Sequence, residues 1–223
     1  MIYHLITLFP GAFDSYLGES ILKRAIEDKK IKVRFYNPRD FADNAYKRID
    51  QKPYAGGPGM VIQALPVIEA IEKAIKSTKL KGVSVKKKIQ IVWFTPSGRQ
   101  FDTSIAKEYA QKFEHVIFVC GRYEGIDARV KDAYSVDEIS VGPYVLTGGE
   151  LPAMLMIDSI SRQIKGVLGD IDSLEESRVS SPDVYTRPEV FVFKKKKYKV
   201  PTVLLSGNHK LIDEWKLSNK TGK

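Results

Sequence analysis

Ser140-Val141-Gly142-Pro143-Tyr144-Val145-Leu146-Thr147-Gly148-Gly149-Glu150-Leu151-Pro152 joins what reads as a strand to what reads as a helix. A short run rich in β-branched residues, Ile139 to Val141, meets a Gly-Pro turn. Three apolar residues follow, then two glycines, then a helix start with Glu150 in its first turn and Pro152 near N1. Glycine is used where backbone must approach something closely or take a positive φ. Two glycine turns around a short apolar hairpin predict a wall of backbone N–H and C=O groups. Such a wall suits a flat, polar-edged ligand such as a purine. An ordinary hairpin feeding a helix has the same spacing. The stretch is neither G-x-G-x-x-G nor a P-loop.

The chain on either side repeats the alternation. Ile2 to Phe9 reads as a buried strand ending at Pro10-Gly11, and Leu17, Ile21, Leu22, Ala25 and Ile26 then recur at helical spacing. Lys32 to Tyr36 is a short strand, broken by Asn37-Pro38-Arg39-Asp40. Pro66 opens a helix with Val67, Ile68, Ile71, Ala74 and Ile75 inward, and Lys76 to Lys88 reads as an exposed basic excursion. Ile89 to Thr95 is a second buried strand, stopped by Pro96-Ser97-Gly98-Arg99. Asp102 or Thr103 caps a helix bearing Ile105, Ala106, Tyr109, Ala110 and Phe113. His115 to Cys120 is a third strand, and Asp127 reads as the N-cap of a short helix with Val130 and Ala133. The helix after Pro152 is expected to bury Met154, Ile157, Ile160 and Ile164. Alternating strands and helices predict an α/β fold with a mainly parallel sheet. Ligands in such sheets sit beyond the carboxyl ends of the strands. Three of those ends carry glycine or proline: Pro96-Ser97-Gly98, Gly121-Arg122 and Gly142 through Gly149. They converge on one crevice if their strands are neighbours.

The 223 residues allow one large or two small domains, and 43% hydrophobic with 28% charged residues is ordinary for a soluble globular protein. A net charge of +9 favours a polyanionic partner, although Lys well outnumbers Arg and the lysine bias of an AT-rich genome would produce the same balance. The single cysteine, Cys120, excludes an internal disulfide and fits a reducing cytosol. Ile2 to Leu8 is short, lacks a basic flank and ends in Pro10, so no signal peptide is expected. No apolar run is long enough to cross a bilayer. Residues 41 to 60 lack a clean period and carry Lys47, Arg48 and Lys52 ahead of Pro53-Tyr54-Ala55-Gly56-Gly57-Pro58-Gly59-Met60. A basic, glycine-rich loop of this kind can lie along a phosphate backbone. Two domains joined by a linker are expected: an α/β domain over 1–165, a Gly-, Asp-, Glu- and Ser-rich linker over 166–182, and a small, mostly helical domain over 183–223. Lys194 to Lys199 forms a basic block, and Asn208 is an N-cap site for a helix with Leu211, Ile212 and Trp215.

Several of these stretches together resemble the bacterial tRNA (guanine-N1)-methyltransferases of the TrmD type, in the SPOUT superfamily. The matching residues are Leu8-Phe9-Pro10, Asn37 to Phe41, Pro53 to Met60, Cys120-Gly121-Arg122-Tyr123-Glu124-Gly125-Ile126-Asp127, Val141-Gly142 and Tyr144 to Ala153. They continue through Ile157-Asp158-Ser159, Gly166 to Gly169, Tyr185-Thr186-Arg187-Pro188-Glu189 and Leu204 to His209, in order along nearly the whole chain. The resemblance implies an α/β domain with a deep trefoil knot. It implies S-adenosylmethionine held by three loops: Trp93, Thr95 and Pro96; Gly121 and Glu124; and Val141, Gly142, Pro143, Tyr144, Val145, Leu146 and Gly149. It implies a cytoplasmic homodimer with each active site shared between subunits, and methylation of guanine 37 of tRNA. Lys47, Arg48, Lys52, Gly59 and Arg187 are the expected RNA contacts. Magnesium ion dependence is associated with the family, with no cation ligand set legible here.

The chemistry this implies needs two groups. N1 of guanine is a poor nucleophile until a base takes its proton, and a carboxylate within reach can do so. Negative charge then builds on O6, where a guanidinium stabilises it. Arg162 matches the family's active-site arginine, and Glu124 matches a residue near the cofactor's methionine end. The family's base is an acidic residue followed by Ser in the linker. A one-residue gap puts Glu176 of Ser173-Leu174-Glu175-Glu176-Ser177 there, whereas an ungapped reading puts Ser177 there. Pro143 stands where the family usually has Asp. The chain stops at Lys223, before the last basic helical part of many relatives, as a short or truncated C-terminal domain would. The alternative is an RNA-binding protein of the same fold with lost or altered methyl transfer, and an acidic linker that supplies a base discriminates the two.

Overall fold

A computed structural model describes residues 1–54, 56–168 and 183–220. The chain divides into two compact units, Met1–Leu168 and Gly169–Lys223. The first unit opens with β1 (Ile2–Ile6), a 3-10 turn over Pro10–Phe13, the short helices α1 (Asp14–Leu17) and α2 (Ser20–Glu27), and β2 (Lys32–Tyr36). A small antiparallel pair follows, β3 (Asp50–Gln51) with β4 (Val61–Ile62), then helices α3 (Ala64–Ser77) and α4 (Val83–Lys88). Next come β5 (Ile89–Gln100), α5 (Thr103–Lys112), β6 (His115–Val119), α6 (Arg129–Ala133), β7 (Asp137–Ser140) and α7 (Glu150–Arg162). The sheet order is β2-β1-β6-β5-β7 and every pairing is parallel.

Strand alternation separates two cores. Val116 and Phe118 of β6 face a layer that includes Phe13, Leu22, Ile105, Tyr109, Met156, Ile157 and Ile160. Ile117 and Val119 face Val67, Ala70, Ile71 and Ala74 of α3 and Val130 of α6. Asp102 caps α5, its carboxylate accepting from the Ile105 N–H at 2.9 Å.

Five local expectations need correction. The Lys76–Lys88 excursion contains α4, because lysine is a good helix former. Pro96 does not stop β5. The register shifts so that Phe94 and Arg99 both oppose Ile139, a bulge where a residue without an N–H is tolerated. Ala128, not Asp127, stands at the N-cap of α6, and the Asp127 carboxylate accepts from the Arg129 N–H instead. No apolar hairpin forms over 143–148, because Val145 is unpaired and exposed and Gly148 bridges to Arg122. In α7, Ala153 and Met156 are buried, while Met154 is only partly so, on the flank of the inward stripe.

One buried polar network lies on the α3 side of the sheet. The Ser77 hydroxyl donates to the Ala74 carbonyl at 2.7 Å and accepts from Arg34 Nη1 at 3.1 Å. Tyr36 Oη, 2.8 Å from Ser77 Oγ, must then donate to it, and accepts from His4 Nδ1 at 3.0 Å. That leaves His4 Nε2 as the acceptor for His115 Nδ1–H at 3.0 Å. Both ring nitrogens of His4 are thus paired with both imidazoles neutral. Burial first, then the charges of His115 and Arg34, pushes the pKa of His4 down to about 3, and burial also lowers that of His115. An unfolded histidine titrates near about 6.5. Between that value and about 3 the unfolded chain binds a proton at His4 that the folded chain refuses, so stability falls as pH falls through this window. Urea midpoints should drop on acidification below neutrality. His4→Gln should remove about 1.4 kcal/mol per pH unit of that slope.

The second unit holds β8 (Val190–Phe193) and β9 (Lys196–Lys199), an antiparallel hairpin, then α8 (Thr202–Leu205) and α9 (His209–Lys220). The expectation of a mostly helical segment misses this hairpin, whose turn and second strand are the basic block itself. Asn208 Oδ1 accepts from the Leu211 N–H at 3.4 Å, as its N-cap reading requires. Tyr185 meets Trp215 edge-on at 6.1 Å. Among the described residues, no helix is long and apolar enough to cross a membrane.

Candidate functional site

The three glycine- or proline-marked strand ends meet because β6, β5 and β7 are neighbours. They enclose a crevice of about 380 Å³ at the carboxyl edge of the sheet. Its wall includes Trp93, Thr95 and Pro96 after β5, Gly121 and Glu124 after β6, and Val141, Gly142, Tyr144, Val145, Leu146 and Gly149 after β7. Pro143, expected with them, is exposed and does not line it.

Close backbone contact builds this wall. The Gly149 N–H donates to the Gly121 carbonyl at 3.0 Å. A Cβ on Gly149 would lie 2.6 Å from Cys120 Cα, a distance real Cβ atoms do not reach. Burial, and then the nearby Glu150 carboxylate, raises the pKa of the Cys120 thiol well above its usual value, so it stays a protonated packing group. Ser140 Oγ donates to the Gly142 carbonyl at 3.0 Å, and Tyr144 Oη donates to the Val141 carbonyl at 2.9 Å. Residues 60–62 close the other side. Glu124 N–H donates to Met60 O, Ile62 N–H to Gly125 O and Asp127 N–H to Ile62 O, at 2.9–3.0 Å. Gly59 lies against the Glu124 side chain.

A buried ion pair locks the loops together. Glu150, 3% exposed, begins α7, where the helix dipole favours a carboxylate. Its Oε1 accepts from the Thr7 hydroxyl at 2.8 Å, and its Oε2 lies 2.9 Å from Arg122 Nε. Neither of those last two atoms has an aligned hydrogen bond, so charge alone joins them. The Arg122 guanidinium also rests 4.6 Å over the Phe9 ring. The chain after β1, the loop after β6 and the start of α7 thus share one network. Sequence reading puts Arg122 in a cofactor loop but gives Thr7 and Glu150 no role. The cue was Glu150 in a first turn, but a sequence separation of 143 from Thr7 hides their contact.

Within the first unit, Arg162, Lys47, Arg48 and Lys52 do not line the crevice. Arg162 ends α7, half-buried and without an ion-pair partner among the described residues. Thirteen helical residues carry it about 18 Å along the axis from Glu150. Asp158, four residues earlier, accepts from Tyr16 Oη rather than pairing with it. Glu176 lies outside the described residues. Lys47 and Arg48 are exposed before β3, where Arg48 lies over the Tyr46 ring and Asn44 closes the turn with Arg48 at 2.8 Å, and Lys52 is exposed between β3 and β4. Arg187 is exposed in the second unit. Among the described residues, no group of three or more His, Cys, Asp or Glu is placed to hold a metal ion, so the expected magnesium ion finds no support.

The family model described as "tRNA (Guanine-1)-methyltransferase TrmD" matches residues 1–223. The chain is 47% identical to the tRNA (guanine-N(1)-)-methyltransferase of Clostridioides difficile (strain 630), over 97% of this chain and 90% of that protein. It is 42% identical to the one of Alkaliphilus oremlandii (strain OhILAs), over 97% and 86%. It is 41% identical to the one of Buchnera aphidicola subsp. Acyrthosiphon pisum (strain APS), over 99% and 90%.

Proposed function

The chain belongs to the tRNA (guanine-1)-methyltransferase TrmD family, and from that premise we propose that it transfers a methyl group from S-adenosylmethionine to N1 of guanine 37 in tRNA. The observation that carries this reading is the crevice built from the carboxyl ends of β5, β6 and β7. Its volume falls within the small-ligand range of about 300–1,000 Å³. Apolar walls from Trp93, Ile126, Ile139 and Leu146 suit an adenosine. Backbone N–H and C=O groups of residues 141 to 146 and Gly121 suit its polar edge. The Glu124 carboxylate suits an ammonium. The reading includes the trefoil knot, a cytoplasmic location and a small C-terminal RNA-binding domain over 183–223, joined by the linker 166–182.

Bound S-adenosylmethionine supplies an electrophilic methyl on a sulfonium. The chain's own work is to position it and to manage one proton. In this reading Glu176 would take the proton from N1 of guanine, leaving the N1 lone pair free to accept the methyl group that the bound cofactor would supply. Arg162 stabilises the charge on O6. An Arg162 about 18 Å along α7 from the crevice side supports a homodimer in which a partner copy's arginine completes the site.

Methyl transfer from labelled S-adenosylmethionine to an unmodified tRNA transcript, with the product identified as N1-methylguanosine, tests the reading. tRNA binding without transfer would favour the binding-protein alternative. Binding should also weaken at least about ten-fold between low and moderate salt, as Lys47, Arg48, Lys52 and the 194–199 lysines displace counterions. A flat salt response would leave the positive charge as compositional bias.

A further inference from the structure

The β8–β9 hairpin is the least expected surface of the second unit. Phe191 stands opposite Tyr198, and Phe193 opposite Lys196. Alternation therefore puts Phe191, Phe193, Lys196 and Tyr198 on one face. Phe191 and Tyr198 stack with centroids 5.1 Å apart and planes 11° apart. Phe191, Tyr198 and Phe193 nevertheless remain 52%, 40% and 57% exposed as residues. Lys194 Nζ lies 5.5 Å from the Phe193 ring centre, and Lys196 Nζ 5.4 Å from that of Tyr198. The two-residue turn is Lys194-Lys195, with φ of 46° and 62°. Turns of that shape usually carry Asn-Gly, because both central residues need positive φ. Here two lysines take the strained positions and raise their charges at the tip. Residues 190–199 hold five lysines and no acid.

A cluster of exposed rings framed only by cations fits a ligand that is both flat and anionic. We propose that this hairpin is a stacking platform for unpaired nucleobases of RNA, the rings taking base faces and the lysines the flanking phosphates. The proposal rests on the tRNA reading and specifies which part of the RNA the second unit takes. Paired bases hide their faces inside the helix, so duplex RNA offers the rings nothing to stack on.

The test measures the full chain's Kd, across salt, for three probes: an unmodified tRNA transcript, a short unpaired oligoribonucleotide, and that oligoribonucleotide annealed to its complement. Phe193→Leu and Tyr198→Leu should each weaken tRNA and single-strand binding by about ten-fold, leaving the duplex and the salt slope unchanged. Phe193→Tyr, which keeps a ring, should bind as the original chain does and controls for folding. Lys196→Gln with Lys197→Gln should lower the salt slope instead. Unchanged Kd in both leucine variants, or equal loss on the duplex, overturns the proposal. So does loss confined to binding of phosphatidylserine vesicles, which would make the hairpin a membrane-facing surface. Methyl transfer by the unaltered chain is scored separately. Transfer with ring-independent binding sinks only this proposal, and ring-dependent binding without transfer sinks only the enzymatic reading.

Discussion

Glu176→Gln is expected to slow methyl transfer by roughly 10²–10⁴-fold, with S-adenosylmethionine affinity nearly unchanged. Glutamine keeps the size and polarity of the side chain but cannot accept the N1 proton. Glu176 is one residue before Ser177, the spacing that the family resemblance implies for its acid and serine. Single-turnover rates separate the chemical step from binding. Arg162→Ala should slow the same step by a similar order, roughly 10²–10³-fold, if Arg162 is the donor to the developing charge as proposed. Mixing Glu176→Gln and Arg162→Ala chains gives a further readout. If the site is shared between copies, mixed dimers can hold one intact site, and activity should return. Near-normal activity of Glu176→Gln alongside inactive Asp170→Asn or Asp172→Asn would move the base earlier in the linker. Activity in all three would require another proton acceptor.

Gly149→Ala is expected to weaken S-adenosylmethionine binding by roughly 10–100-fold, the effect of forcing one methyl into packed structure. The added Cβ meets the backbone of Cys120 and Gly121, at 2.6–3.2 Å, and backbone cannot rotate away. The 3.0 Å hydrogen bond from Gly149 to Gly121 must stretch, and two walls of the crevice separate. Gly142→Ala provides the contrast. Its Cβ would meet the Tyr144 ring at 2.2 Å, but that ring is 51% exposed and can swing out. A smaller loss is therefore expected at 142, with valine there costing more by projecting into the crevice. Calorimetry on folded protein decides the order, and equal effects at 142 and 149 would count against a backbone-built wall.

Much of the architecture was legible because it is local. Val116-Ile117-Phe118-Val119 is apolar at every position, which means burial on both faces and a parallel sheet with helices above and below. Asp102 and Asn208 announce their helices because a cap bonds within three residues. The crevice residues were legible for a similar reason. Glycine and proline at the ends of three strands mark close backbone approach wherever those ends lie. Long motifs shared with a family added the chemistry, which spacing alone does not supply.

Only the tertiary structure decided which ends meet, since strand order depends on packing between distant segments rather than on any one of them. It put β6 between β1 and β5, and so brought His4 within 3.0 Å of His115, 111 residues away. It joined Thr7, Arg122 and Glu150 into one buried network, where sequence shows only an ordinary first-turn acid. It turned a lysine run that reads as a charged block into a hairpin, because pairing Phe191 with Tyr198 brings rings seven positions apart face to face. Local pattern determines which residues want burial or a turn. The partner each one finds is set by the free energy of the whole packed chain, in which a buried charge or ring must be matched by whatever the fold places beside it.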